Sequence, residues 1–183
     1  MSLERSIGLF HHRWAPPVVA ALQFGGELSA GELARRIEGS RDATNAALRD
    51  LMRKGLVEVA STGRPRTYRL SAFGARMGPR AAALASMVTE LGVYPVVLRK
   101  WAMPVVAQVG RGYTRYHELE NTLPGVTPRA LALALRDLMA VGLIERSPEP
   151  GYAGARIYAL TEAGRRLFEP LDGFVQAAGE LPD

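Results

Sequence analysis

Ala47-Leu48-Arg49-Asp50-Leu51-Met52 recurs unchanged as Ala134-Leu135-Arg136-Asp137-Leu138-Met139, 87 positions further on. Each copy runs into a near-identical ending, Gly55-Leu56-Val57-Glu58 and Gly142-Leu143-Ile144-Glu145, at the same offset. Leu48, Leu51 and Met52 stand at i, i+3 and i+4, one face of a 3.6-residue period, and Leu135, Leu138 and Met139 repeat the face. Gly55 and Gly142 are free to take the left-handed conformation that ends a helix. Ser40 and Thr127 sit where an N-cap belongs, and Pro128 takes the first helical position of the second copy. Both stretches therefore read as amphipathic helices, capped at each end, that hand over to a strand.

The duplication is wider than this helix. Trp14-Ala15 and Pro17-Val18-Val19-Ala20 recur as Trp101-Ala102 and Pro104-Val105-Val106-Ala107. Glu32-Leu33 recurs as Glu118-Leu119, and Tyr68, Leu70 and Gly74 recur as Tyr158, Leu160 and Gly164. Matches in one order, with small slips between elements, predict two copies of one unit in tandem. The expected domains are 1–92 and 93–183, divided near Gly92-Val93-Tyr94-Pro95.

Composition sets limits on function. A chain of 183 residues, 48% hydrophobic, can hold two small cores. It has no apolar run near eighteen residues, which argues against a membrane span. Met1-Ser2-Leu3-Glu4-Arg5 lacks the apolar core of a signal peptide. With no cysteine, disulfides and cysteine-ligated zinc are excluded, and the expected location is cytoplasmic. Net charge is +5, carried almost wholly by arginine, with Lys54 and Lys100 the only lysines. Arginine suits bidentate and phosphate contacts, so a polyanion is favoured as partner.

Read in order, residues 1–13 form a short leading helix, with His11-His12 as surface histidines rather than a metal site. Trp14 to Phe24 is the first helix of unit one, and Pro16 and Pro17 fall in its first turn, where a missing N–H costs nothing. Ser29-Ala30-Gly31-Glu32 is a capping box that opens a second helix through Ile37. Glu38-Gly39 is a tight connector to the third. Leu56 to Ala60 and Thr67 to Leu70 are strands around the turn Ser61-Thr62-Gly63-Arg64-Pro65. Ser71 caps a long helix towards Leu91, which Gly78-Pro79 should break or kink.

Unit two repeats this order. Pro95 to Val109 holds Trp101 and the first helix, Thr114 caps a second helix through Thr122, and the third starts at Thr127. Strands are expected at Leu143–Ser147 and Arg156–Leu160, around a longer tip that is not basic, followed by a helix from Thr161-Glu162 through Phe174. The expected fold class is mainly α with small β-hairpin wings (α+β), a tandem winged helix-turn-helix repeat. Trp14 and Trp101 are expected to anchor the core between the first helix and the wing.

Unit two resembles the HxlR-type branch of the MarR-like winged-helix transcription regulators. The similarity lies in Lys100-Trp101 opening a helix, Tyr116-His117-Glu118-Leu119, Leu123-Pro124-Gly125-Val126-Thr127-Pro128-Arg129, and Tyr158-Ala159-Leu160-Thr161-Glu162-Ala163-Gly164. Unit one matches more loosely. The resemblance implies DNA-binding regulation. Family members are usually single units that homodimerise, and many carry a cysteine near the N-terminus. This chain has two units and no cysteine, so oxidation sensing does not carry over.

In a helix-turn-helix protein the exposed N-terminal residues of the third helix meet base edges in the major groove. With Leu48, Leu51 and Met52 inward, the outward set in unit one is Arg41, Asp42, Asn45 and Arg49, joined by Arg64 and Arg66 on the wing. Arginine pairs with guanine and asparagine with adenine, and wing arginines reach phosphates or a narrow minor groove. The counterparts in unit two are Arg129, Arg136 and Arg156, with Ala132 and Leu133 where a reader would want hydrogen-bonding groups. Across third helix and wing, unit one carries seven basic residues against three acidic, or +4, and unit two four against three, or +1. Unit one is expected to supply most of the affinity.

The expected partner is double-stranded DNA, read by a fused equivalent of a dimer. Nothing in the sequence asks for a cofactor, a metal, a membrane or catalysis, and any small-molecule effector is left unassigned. The terminal helices and the 72–91 helix offer surfaces for a homodimer. The competing reading is a tandem winged-helix adaptor that binds protein in a chromosome-organising or transcription complex, which the near-neutral face of unit two would suit.

Overall fold

The structure, a computed structural model, describes residues 14–152 and 154–178. The leading helix expected over 1–13, with His11 and His12, lies outside the described residues. The chain divides into two compact units, Met1–Ser86 with Gly173–Asp183, and Met87–Asp172.

In the first unit, α1 (Ala15–Gly25) carries its prolines in the first turn and buries Val18, Val19 and Leu22. Gly26, at φ 65°, ends it, its amide N–H donating a hydrogen bond to the Leu22 carbonyl. Strand β1 (Leu28–Ser29) leads into α2 (Ala30–Arg36). The expected capping box is formed. The Glu32 amide donates to Ser29 Oγ at 3.3 Å, and the Ser29 amide donates to the Glu32 carboxylate at 2.8 Å. The Ser29 hydroxyl, which also donates to the Glu32 carboxylate at 2.6 Å, and then the Ser29 amide hold the Glu32 carboxyl below the usual carboxylate range.

The connector after α2 passes through Glu38 at φ 54°, a left-handed position for a residue with a side chain. Helix α3 (Arg41–Arg53) opens where Ser40 Oγ accepts the Ala43 amide at 3.2 Å. Its inner face is Thr44, Ala47, Leu48 and Leu51, packed on α1 and α2. Each leucine buried there is worth roughly 1.5–3 kcal/mol of transfer free energy. Met52, expected inward, is only half-buried, because it lies at the edge of the face rather than its centre. Strands β2 (Val57–Ser61) and β3 (Thr67–Leu70) pair antiparallel, and β1 adds to the outer side of β3, Leu28 opposite Tyr68. The sheet thus has three strands where two were expected.

Helix α4 (Ala72–Glu90) runs through Pro79 without interruption, so of the break or kink expected at Gly78-Pro79 the break is overturned. Pro79 removes one backbone bond and crowds the carbonyl four residues earlier, at about 3 kcal/mol. Burial of Met77, Ala81, Leu84 and Val88 around it offsets that loss.

The second unit has a short α5 (Tyr94–Val97), then α6 (Ala102–Gly110), buried along nearly its whole length. Helix α7 (Tyr116–Thr122) is N-capped at Arg115, not at Thr114 as expected. The reason is Glu118, whose carboxylate accepts both the Thr114 and Arg115 amides, at 3.0 and 2.9 Å, and leaves the Thr114 hydroxyl no capping role. Helix α8 (Pro128–Ala140) opens as expected, with Thr127 Oγ1 accepting the Ala130 amide at 3.2 Å. Strands β4 (Ile144–Pro148) and β5 (Arg156–Leu160) form the hairpin, and the Tyr158 amide also donates to the Thr114 carbonyl at 2.8 Å. Helix α9 (Glu162–Ala178) continues past Phe174, which is buried. The mainly helical fold with small antiparallel sheets agrees with the winged helix-turn-helix expectation.

Candidate nucleic-acid interface

Burial of Leu48 and Leu51 fixes the rotation of α3, and rotation decides what water sees. Arg41, Asp42 and Arg49 are exposed, Asn45 is half-exposed, and Arg64 and Arg66 are exposed beyond the end of β2. Arg41 leans back over the start of α2, where a Cβ on Gly31 would lie 3.2 Å from its guanidinium. Ala46, Arg49, Met52 and Arg53 line an open groove of about 540 Å³ on the outer face of α3.

In the second unit Leu131, Leu135 and Leu138 turn inward and Arg129, Ala132, Leu133 and Arg136 turn out. Arg156 is exposed at the start of β5. It borders a second open groove, about 390 Å³, together with Arg115, Tyr116, His117, Glu149 and Tyr152.

Ion pairs change the charge comparison made from sequence. Asp50, 5% exposed, accepts from Arg53 at 3.0 Å and Lys54 at 2.5 Å, so the buried carboxylate is compensated. Arg69 pairs with Glu58 at 2.7 Å. Arg41, Arg49, Arg64 and Arg66 make no ion pair among the described residues. In unit two Asp137 is held by Arg99 and Glu149 by Arg115, while Arg136 stands 3.9 Å from Asp137. Asp50 neutralises only one of its two cations, so the first third helix and wing stay at +4, whereas counting Arg99 and Arg115 with the acids they hold brings the second to +3. The excess of unit one over unit two therefore narrows from three charges to one, and a difference of chemistry stands beside it: Asn45 in one stripe, Ala132 and Leu133 in the other.

The Arg115–Glu149 pair was not legible in the sequence. Arg115 Nε donates to both Glu149 oxygens at 3.1 Å, and its guanidinium lies 5.7 Å from the Tyr152 ring centre. The pair holds the Glu149 carboxyl below its usual range and raises Arg115 further. It fastens the β4–β5 tip to the start of α7. The Tyr116 hydroxyl donates to the Pro128 carbonyl at 2.8 Å, tying α7 to the start of α8. Burial first, then the Glu120 charge, pushes the Tyr116 phenol up.

Trp101 is 8% exposed with the Lys100 ammonium 4.7 Å over its ring, and Trp14 is half-buried. Among the described residues no group of three or more His, Asp or Glu could hold a metal, and no helix is long and apolar enough to cross a membrane.

A short helix joined by a tight turn to a capped, outward-facing helix, then a hairpin, define the class of winged helix-turn-helix proteins. Residues 96–180 match the family described as HxlR-like helix-turn-helix. The uncharacterized HTH-type transcriptional regulator YdzF of Bacillus subtilis is 35% identical over 75 residues, 40% of this chain and 68% of its own length. An uncharacterized HTH-type transcriptional regulator of Methanothermobacter thermautotrophicus is 32% identical over 77 residues, 42% of this chain. The chain spans 59% of that protein's length. A third, sll1512 of Synechocystis, is 34% identical over 68 residues, 37% of this chain and 50% of its own length. No solved structure matches the chain. The chain belongs to the HxlR-like helix-turn-helix family.

Proposed function

We propose that this protein is a sequence-specific, double-stranded DNA-binding transcriptional regulator, not an enzyme, that works in the cytoplasm. The observation that carries the reading is the outward stripe Arg41, Asp42, Asn45 and Arg49 on α3, together with Arg64 and Arg66, exposed after β2 and without an ion pair among the described residues. A rigid helix with a buried leucine face, opened by a capping serine, presents guanine- and adenine-binding side chains at a spacing suited to base edges. The relatives' names as transcriptional regulators support the same reading.

The chain is further read as two tandem copies of one module, residues 1–92 and 93–183, equivalent to a dimer in one polypeptide. The support is local geometry that recurs. Ser71 Oγ donates to the Gly55 carbonyl and accepts the Gly74 amide, and Thr161 Oγ1 does the same with Gly142 and Gly164. Unit one is the stronger reader chiefly because its stripe sets the hydrogen-bonding Asn45 where unit two has Ala132, and only secondarily because of net charge. Arg129, Arg136 and Arg156 give unit two a second contact, and the terminal or 72–91 helices provide for a homodimer.

The test is selection from a random duplex pool with the full chain at two salt concentrations. A motif with two unlike halves is expected, with affinity falling by about 0.9 log units per log unit of salt for each phosphate contact. No enriched motif at either salt would turn the reading to a protein-binding adaptor.

A further inference from the structure

We infer that α8 reads thymine, with Ala132 and Leu133 set against the C5-methyl groups that thymines carry in the major groove. This rests on the DNA-binding reading above and names what the second half-site contains. Arg129, Ala132, Leu133 and Arg136 stand at i, i+3, i+4 and i+7, a single stripe opposite buried Leu131, Leu135 and Leu138. All four are exposed. Leu133 is 42% exposed, and among the described residues it is the one large exposed hydrophobic on either third helix.

An isolated surface leucine is ordinary and needs no explanation. Here the flanks supply one. The arginines on either side draw the stripe onto a polyanion, and the nearest acid on the helix, Asp137, is already held by Arg99. Once docked, Ala132 and Leu133 neither donate nor accept a hydrogen bond. Set against guanine, cytosine or adenine, they would strip water from polar groups and leave them unpaired. The thymine methyl is the one apolar group on the major-groove edges. The α3 stripe has Asn45 and Ala46 between Asp42 and Arg49, so it lacks this aliphatic pair. The two half-sites therefore differ in kind: hydrogen-bonded purines for α3, thymine methyls for α8.

The experiment replaces each thymine of the selected site by deoxyuridine, one at a time, which deletes only the methyl. Binding is measured for the wild-type full chain and for Leu133→Ala, an exposed helix position where alanine preserves the fold. Burial of one methyl predicts about a fourfold loss of affinity per responsive thymine in the wild type. At one or more of these positions the loss should vanish in Leu133→Ala. If the wild type binds the enriched site but is indifferent to every uracil, or if every uracil penalty survives unchanged in Leu133→Ala, thymine reading is overturned while the regulator stands. If no site is enriched at all, the regulator reading fails and takes this inference with it.

Discussion

The Ser71 hydroxyl donates to the Gly55 carbonyl at 2.6 Å and accepts the Gly74 amide at 3.0 Å. One side chain so joins the end of α3, the exit of the hairpin and the start of α4. Ser71→Ala removes both bonds and should destabilise the first unit by about 1–2 kcal/mol. Thr161→Ala should do the same to the second. Amide exchange resolved by residue would locate each loss, and a loss spread evenly over both units would contradict the assignment.

Gly74 is required for space, not for backbone freedom. A Cβ there would lie 1.9 Å from the Leu56 carbonyl oxygen, which is backbone and cannot swing away. Gly74→Ala should cost about 3 kcal/mol, read from chemical denaturation. Gly173, also helical, has nothing within 4 Å of the same position. Gly173→Ala should stabilise by about 0.5–1 kcal/mol.

Acid should loosen the β4–β5 tip. Because Arg115 holds the folded Glu149 carboxyl below its free value, the contribution of the pair is complete above about pH 4.3. It is lost as pH falls through the lower, folded value. Protection of the Tyr152 and Ala155 amides, which donate to the Glu149 and Tyr152 carbonyls, should stay level from neutrality to about pH 5 and fall in stronger acid. In Glu149→Gln that acid step should be absent. A Glu149 resonance that titrates at or above the free value would refute the mechanism.

Base contacts and phosphate contacts should separate by their salt response. Arg49→Ala is expected to cost about 1–3 kcal/mol and to relax specificity at one position. Arg64→Ala and Arg66→Ala should weaken all duplexes alike and lower the salt slope by about 1 each. Arg129→Ala should weaken binding less than Arg41→Ala. Equal losses in a titration would remove the ranking of the two units.

Where a local rule set the structure, the sequence could be read. Ser40, Thr127 and the Ser29–Glu32 box mark helix starts through bonds three residues long. The face of α3 followed from leucine spacing, so the exposure of Arg41, Asp42 and Arg49 was foreseeable. What escaped reading depends on distant partners. Strand β1 is two residues long and exists because β3 lies beside it. Pro79 looks like a break until the burial of Met77 and Ala81 is seen. Arg115 and Glu149 are 34 residues apart with no pattern linking them. Sequence likewise does not say that Arg99 and Arg115, outside the third helix and wing, hold Asp137 and Glu149.

Asp42 and Arg129 are each the second residue of their helices and carry opposite charge. Under the proposed reading, in which both helices touch one duplex, a regulator with such unlike fingertips would have a heading. Turned end for end, the same stretch of duplex would meet the wrong hand at each end. The protein would mark the genome with an arrow instead of a point, and genes upstream and downstream of it would not be interchangeable.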